Sequence, residues 1–329
     1  MRRQQLRAQG GAALLLAMLV LTLVATLAAS MVWQQQRAVQ VEAAERARAQ
    51  AGWILTGALD WARLILREDA RSGGADHLGE PWAVPLAEAR LSSFLAVDRD
   101  NSADATLDAF LSGSIVDAQS RYNLRNLIDG EGKLVPGEVE VLQRLCESAG
   151  AAAGTAALIS RGLLQSIGAA RPDLAETPLA PRRIEQLVWL GVDAALIPAL
   201  HEVLVLLPQR TPVNLNTASA VVLAAVVDKL DSGSAERLVA RRERQPFRAL
   251  TDAQQLLPQG VTLEASRVGV ASSHFEVSGR LRLEDRVVEE RSLLERRGNG
   301  GSAEIVVLAR ERRSAMVETA GSERLTPLR

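Results

Sequence analysis

No charged residue occurs between Ala8 and Gln36. The core of that stretch, from Ala12 to Val32, is almost wholly apolar. At about 1.5 Å of rise per helical residue it is long enough to cross a hydrocarbon layer of roughly 30 Å. A chain with such a start is either exported with the segment removed or held in a membrane by it. Arg2, Arg3 and Arg7 precede the run, whereas only Arg37 lies just beyond it and Glu42 and Glu45 follow. That arginine bias keeps the short amino-terminal end in the cytoplasm and puts the bulk of the chain outside. A cleaved signal peptide is the competing reading, since Ala28-Ala29-Ser30 offers small residues near the end of the run. Its apolar region normally covers about 7 to 15 residues, fewer than here.

The pattern does not break after Trp33. It continues through Gln34-Gln35-Gln36-Arg37 into alanine-rich, charged sequence as far as Glu68. Ile54, Ala58, Trp61 and Ile65 recur there at helical spacing, flanked by Leu55, Leu59, Ala62 and Leu66, which makes one wide apolar stripe. The spacing predicts a single helix over 12–68 that begins in the membrane and ends packed on a soluble domain.

A short basic leader ending in glycine, an uncharged run and an amphipathic continuation of the same helix resemble the leader and stalk of type IV pilins and of type II secretion pseudopilins. The resemblance implies cleavage by a prepilin peptidase on the cytoplasmic side, followed by methylation of the new amino terminus. Within Gln9-Gly10-Gly11-Ala12-Ala13-Leu14 the favoured cut follows Gly11 and leaves Ala12 first, with a cut after Gly10 as the alternative. Most family members carry glutamate at the fifth mature position. Here that position is Leu16, or Leu15 for the alternative cut. In such filaments the glutamate meets the charged amino terminus of the subunit already assembled, because a carboxylate in hydrocarbon is costly unless paired. A subunit with nothing ahead of it needs no such partner, and this departure is similar to the minor pseudopilins of the general secretion pathway protein K family.

The rest of the chain follows the order of that family. Ile115-Val116-Asp117-Ala118-Gln119 reads as strand and leads to Tyr122-Asn123-Leu124. An aspartate-alanine pair shortly before an asparagine-leucine pair resembles the family's strand signature, and Asn123 alone reads as the cap of a turn. From Pro136 to Leu207 the pattern is helical. A second helical unit opens at Asn214-Leu215-Asn216-Thr217-Ala218, matching the family's motif in full. Thr217 is expected to cap a helix over 218–228, with Asn214 or Asn216 bonding the neighbouring backbone. After Ser272-Ser273 the period becomes two over His274 to Leu283 and again, less cleanly, from Arg286 to Arg296, which predicts two antiparallel strands. Ala303 to Leu308 adds an edge strand.

The expected fold is α+β: a long amino-terminal transmembrane and stalk helix, then a small antiparallel pilin-like sheet interrupted by a large all-helical insertion. The expected boundaries are a leader at 1–11, the helix at 12–68 and the first part of the sheet at 69–128. Helical units at 129–207 and 208–271 follow, then closing strands at 272–312 and a disordered tail at 313–329.

Enzymatic chemistry finds little support. His77, His201 and His274 are far apart, and His201-Glu202 fails as a zinc-protease helix because the second ligand position is Val205. The single cysteine, Cys146, excludes an internal disulfide and a cysteine zinc site. No glycine-rich phosphate loop or nucleophile elbow occurs. Asp98, Asp100 and Asp104 alternate like the first half of a calcium loop, yet Ala103 and Ala109 stand where the glycine and the bidentate glutamate belong. A solvated turn is the plainer reading, so no cofactor is expected, with calcium the weak candidate. Basic and acidic residues balance, 38 against 39, for a net charge of −1, so nothing global favours nucleic acid.

One local rival is a membrane-anchored DNA-uptake protein. Residues 214–247 resemble the helix-hairpin-helix of competence proteins, with Arg237, Arg241, Arg242, Arg244 and Arg248 as a cationic patch. Asp228 and Asp231 replace the phosphate-binding glycines there and would repel phosphate. The family resemblance instead implies a non-enzymatic subunit at the pseudopilus tip, in the inner membrane with a periplasmic head. Its implied partners are the other minor pseudopilins, the major pseudopilin, the peptidase and possible contacts to secreted substrate or the outer-membrane channel.

Overall fold

The computed structural model describes residues 10–91, 109–167, 179–283, 286–298 and 300–316. Helix α1, Gly10–Ser72, is continuous. It stops where Gly73 and Gly74 take φ of 64° and 123°, values open to glycine and rarely to other residues. Residues 1–56 and 57–329 form separate compact units, and among the described residues the first unit holds the earlier length of α1. The helix is long and apolar enough to cross a membrane, and its apolar stretch is not buried.

In the second unit the strands are β1 (Leu86–Arg90), β2 (Ala109–Asp117), β3 (Tyr122–Asn123), β4 (Leu204–Val205), β5 (Val213–Asn214), β6 (Val268–Gly269), β7 (His274–Leu283), β8 (Arg286–Arg297) and β9 (Glu304–Met316). Five of them form one antiparallel sheet in the order β1-β2-β7-β8-β9. Strand β7 buries Phe275, Val277, Leu281 and Leu283, as a period of two requires. Leu59, Ala62 and Leu66 of α1 pack on this sheet against Trp82, Ile115, Phe275, Val277, Leu294 and Ile305. Trp82 meets Phe275 edge to face, with ring centroids 5.3 Å apart. The stripe is narrower than its sequence suggests, because Trp61 is 67% exposed. At Gly113 a Cβ would lie 2.7 Å from the Ser278 carbonyl oxygen, so β2 and β7 could not pair this closely there with any other residue.

Between β2 and β7 lies the helical insertion: α2 (Pro136–Ser148), α3 (Thr155–Ile167), α4 (Ile197–Val203), α5 (Ala220–Val226), α6 (Ser232–Arg244) and α7 (Leu250–Gln254). One hydrophobic core runs from Tyr122 to Val268 and draws on both 129–207 and 208–271. Two short parallel pairings, β3 with β4 and β5 with β6, tie the ends of the insertion together.

Element boundaries also differ from expectation. The helix expected over 218–228 is α5, Ala220–Val226. Residues Ile184–Leu190 are 3₁₀, closed by Gly191 at φ 92°. The edge strand β9 passes both Leu308 and the expected boundary at 312 to reach Met316. Beyond Leu308 its alternation is ionic: Arg310 and Arg312 both pair with Glu290 of β8, whose side chain is 4% exposed. Residues 1–9, the calcium candidates Asp98, Asp100 and Asp104, and the tail beyond 316 lie outside the described residues.

Candidate functional site

The motifs that stand out in the sequence converge on the neck where the insertion leaves and rejoins the sheet. Strand β2 ends at Asp117, whose Oδ1 accepts from the Gln119 backbone N–H at 2.8 Å and so starts a 3₁₀ turn. Its Oδ2 accepts from three side chains: Asn214 Nδ2 at 3.0 Å, Thr217 Oγ1 at 2.6 Å and Ser272 Oγ at 2.6 Å. These donors come from positions separated from Asp117 by about a hundred residues or more. Asp117, Asn214 and Ser272 are buried. Burial pushes the Asp117 carboxyl up, and its Ser272, Thr217 and Gln119 donors pull it back in part.

Asn214 Nδ2 also donates to the Asp76 carbonyl at 3.1 Å, and Asn214 Oδ1 accepts from the Asn216 N–H at 2.9 Å. Asn216 clamps Phe247 through both of its backbone groups, each at 2.9 Å. Thr217 is not the helix cap that the sequence suggests. Ser219 caps α5 by accepting from the Val222 N–H at 3.3 Å, while the Thr217 hydroxyl is turned into the neck toward Asp117. The reason is local: the Asn214 turn brings position 217 to face β2 and leaves 219 as the last extended residue before the helix.

Asn123 holds the other side of the neck. Its Oδ1 accepts from Arg125 N–H at 3.0 Å, the turn cap expected of it, and from Leu207 N–H at 3.1 Å. Its Nδ2 donates to the Gln209 carbonyl at 2.7 Å and Thr211 Oγ1 at 3.0 Å. Asn126 repeats the clamp on the backbone of Thr211. Gln119 Oε1 accepts from Ser273 N–H at 2.7 Å, which fastens the returning chain.

Sequence reasoning missed a layer of charge against this neck. Arg296 of β8 donates to Asp69 of α1 at 2.8 Å, to both Asp76 oxygens at 2.6 Å and to the Ser272 carbonyl at 2.6 Å. Glu80 accepts from Trp82 Nε1 at 2.8 Å. Carboxylate oxygens of Asp69, Asp76 and Glu80 lie within 4.8 Å of one another, close enough for a cation, and the Arg296 guanidinium already pairs with two of them. Burial, with Glu80 and Asp76 nearby, pushes the Asp69 carboxyl up to about 7. None of these residues lies in a motif, since the partners meet only through the fold.

This arrangement joins distant elements of the fold. Its hydroxyls and carboxylate are sealed from solvent, and His274, fully buried with its pKa pushed down by burial, contacts Ser273 rather than an open cleft. The arginine patch of the DNA-uptake reading is also divided. Arg242 is buried and donates to the Leu215 and Ala218 carbonyls at 2.6 Å, so it holds the motif in place. Asp231 caps α6 through Ser234 N–H at 2.9 Å, which puts a carboxylate at the helix end that would have to receive phosphate.

Comparison with known proteins gives consistent matches. The sequence model of the type II secretion system protein K family matches residues 213–271, the stretch from the start of β5 to just past β6. Type II secretion system protein K of Pseudomonas aeruginosa is 29% identical over 341 residues, covering 93% of each chain. Its counterpart from Pectobacterium carotovorum subsp. carotovorum is 29% identical over 317 residues, covering 87% of this chain and 92% of that one. Among solved structures, a chain of the GspK–GspI–GspJ complex from the enterotoxigenic Escherichia coli type 2 secretion system superposes with a TM-score of 0.62. It is 20% identical and covers 82% of this chain and 98% of that chain.

Proposed function

Since this chain belongs to the type II secretion system protein K family, and so is a minor pseudopilin, we propose that it caps the pseudopilus as its tip subunit. In this reading α1 anchors the subunit in the inner membrane before assembly, with the head in the periplasm. The prepilin peptidase cuts after Gly11 and Ala12 is methylated. The stalk then packs with the other minor pseudopilins and, below them, the major pseudopilin. The head meets secreted protein or the outer-membrane channel.

The observation that carries the tip assignment is the insertion itself. A small sheet bears a helical body from Ala118 to Ser273, fixed at a hydrogen-bonded neck and not on a free linker. A rigid load of that size suits a position with no subunit ahead. Leu16, in place of glutamate, agrees, because it gives no carboxylate to pair with a preceding amino terminus. The buried neck supports a structural role and not catalysis.

Co-purification of the full-length chain with the other minor pseudopilins encoded beside it tests the reading. A stable complex, together with an intact mass beginning at methylated Ala12, is the expected result. A mature chain starting near Met31, or a Leu16→Glu variant that assembles longer filaments than wild type, would sink it. The DNA-uptake alternative requires instead a salt-dependent shift of duplex DNA by the purified chain.

A further inference from the structure

Arithmetic along α1 fixes where it leaves the hydrocarbon, if the proposed membrane anchor is accepted. From Ala12 to Trp33 the helix rises about 32 Å at 1.5 Å per residue, close to the roughly 30 Å of a bilayer core. Trp33 is therefore the last apolar residue that can still touch lipid chains, and its side chain is 62% exposed on the helix. Arg37 stands one turn further on, with its guanidinium carbon 5.7 Å from the centre of the Trp33 ring. Its Cα stands about 6 Å beyond that of Trp33 along the helix, so the guanidinium touches the indole while reaching into the headgroup layer.

The charges nearby are arranged for an anion to join it. Gln34, Gln35 and Gln36 are neutral, and the next acidic side chain, Glu42, is engaged by Arg46 at 2.8 Å. Arg37 has no carboxylate within ion-pair distance among the described residues, and its guanidinium rests against the Trp33 ring. An indole suits the interface because it has an apolar body and a polar N–H, and a planar guanidinium matches phosphate with two parallel hydrogen bonds.

We propose that Trp33 and Arg37 together form a phospholipid-headgroup contact on the periplasmic leaflet, which sets how deep the unassembled subunit sits. The indole lies at the ester level and the guanidinium binds a lipid phosphate above it. The anchor holds the register of α1 until assembly draws the helix out.

The test uses the full-length chain in vesicles of phosphatidylethanolamine and phosphatidylglycerol. Subtracting the emission of a Trp33→Phe variant from that of the native chain isolates Trp33 from the other tryptophans. Lipids brominated near the headgroup should quench this difference signal on the order of twofold more than lipids brominated near the chain end. Arg37→Ala should lessen that preference, and Arg37→Lys should recover part of it. Equal or deeper quenching, or a depth that Arg37→Ala leaves unchanged in a chain still embedded, overturns the anchor while the span stands. Release of the chain by alkaline carbonate overturns both, because α1 would then not be a span.

Discussion

Replacing Asp117 with alanine would remove one carboxylate and strand several donors. Gln119 N–H, Asn214 Nδ2, Thr217 Oγ1 and Ser272 Oγ all point at it. Asn214 keeps the Asp76 carbonyl at 3.1 Å, and the Thr217 hydroxyl has only a 3.5 Å contact with the Asn214 carbonyl to fall back on. Two or three donors thus lose their partner in a sealed site, at about 1–3 kcal/mol each. The mutant also loses a charge whose burial was itself unfavourable, as the raised Asp117 carboxyl indicates, and this offsets part of the cost. The net expectation is a destabilisation of about 3–5 kcal/mol, a large share of the roughly 5–15 kcal/mol that holds a typical domain together. Because the loss falls on the neck, it should separate the sheet from the insertion. Denaturant unfolding of the detergent-solubilised chain, followed by circular dichroism and by limited proteolysis, should change from one transition to two, with an early cut on either side of the insertion. A cost below about 1 kcal/mol with a single transition would refute the neck as the joint.

Thr217→Ala should cost about 1.5–3 kcal/mol through its bond to a charged acceptor, whereas Ser219→Ala should cost about 1 kcal/mol as a lost cap; equal costs in chemical denaturation would contradict the assigned roles. Burial, with Glu80 and Asp76 nearby, pushes the Asp69 carboxyl from its ordinary value of 3.8 up to about 7, so the folded state holds the extra proton between those values. Its contribution to stability is therefore complete below about pH 4 and lost as pH rises through 7, and Asp69→Asn should flatten the fall in Tm across that window. An unchanged slope would show that another group titrates there. Lys229 sits at φ 61° between α5 and α6, a conformation that favours glycine, so Lys229→Gly should stabilise the chain by about 0.5–1 kcal/mol, read as a higher Tm; a lower Tm would mean the backbone there is not strained.

What the sequence disclosed was local. The uncharged run, the alternation in β7 and the turn cap at Asn123 depend on neighbours a few residues apart, and each is legible from spacing and residue type. The neck was half legible. Asp117, Asn123, Asn214 and Thr217 stood out singly, but no local signal says that Asp117 and Ser272 meet, and Asp69, Asp76 and Arg296 carry no motif at all. Thr217 and Ser219 are both competent caps two residues apart, and only the turn at Asn214 decides between them. Arg242 looks like any member of an arginine run until the two carbonyls beneath it are seen. The far half of β9 hid for another reason: its pairing rests on Glu290 with two arginines, which gives no apolar period to read.

The adjacency of β2 and β7 bears on how the chain folds. Asp117 pairs with Phe275 although 158 positions separate them in sequence. Closing a flexible loop of that length costs about 4–5 kcal/mol in chain entropy before a single strand contact rewards it. If the insertion has already folded, its neck holds the two ends side by side and that cost has been met by a hydrophobic core assembled from nearer contacts. The order this implies is hierarchical: the middle of the chain folds first and acts as the template on which the sheet closes. The centre of the sheet is then its slowest part to form, and an emerging chain presents β2 with an unpaired edge until β7 has followed it.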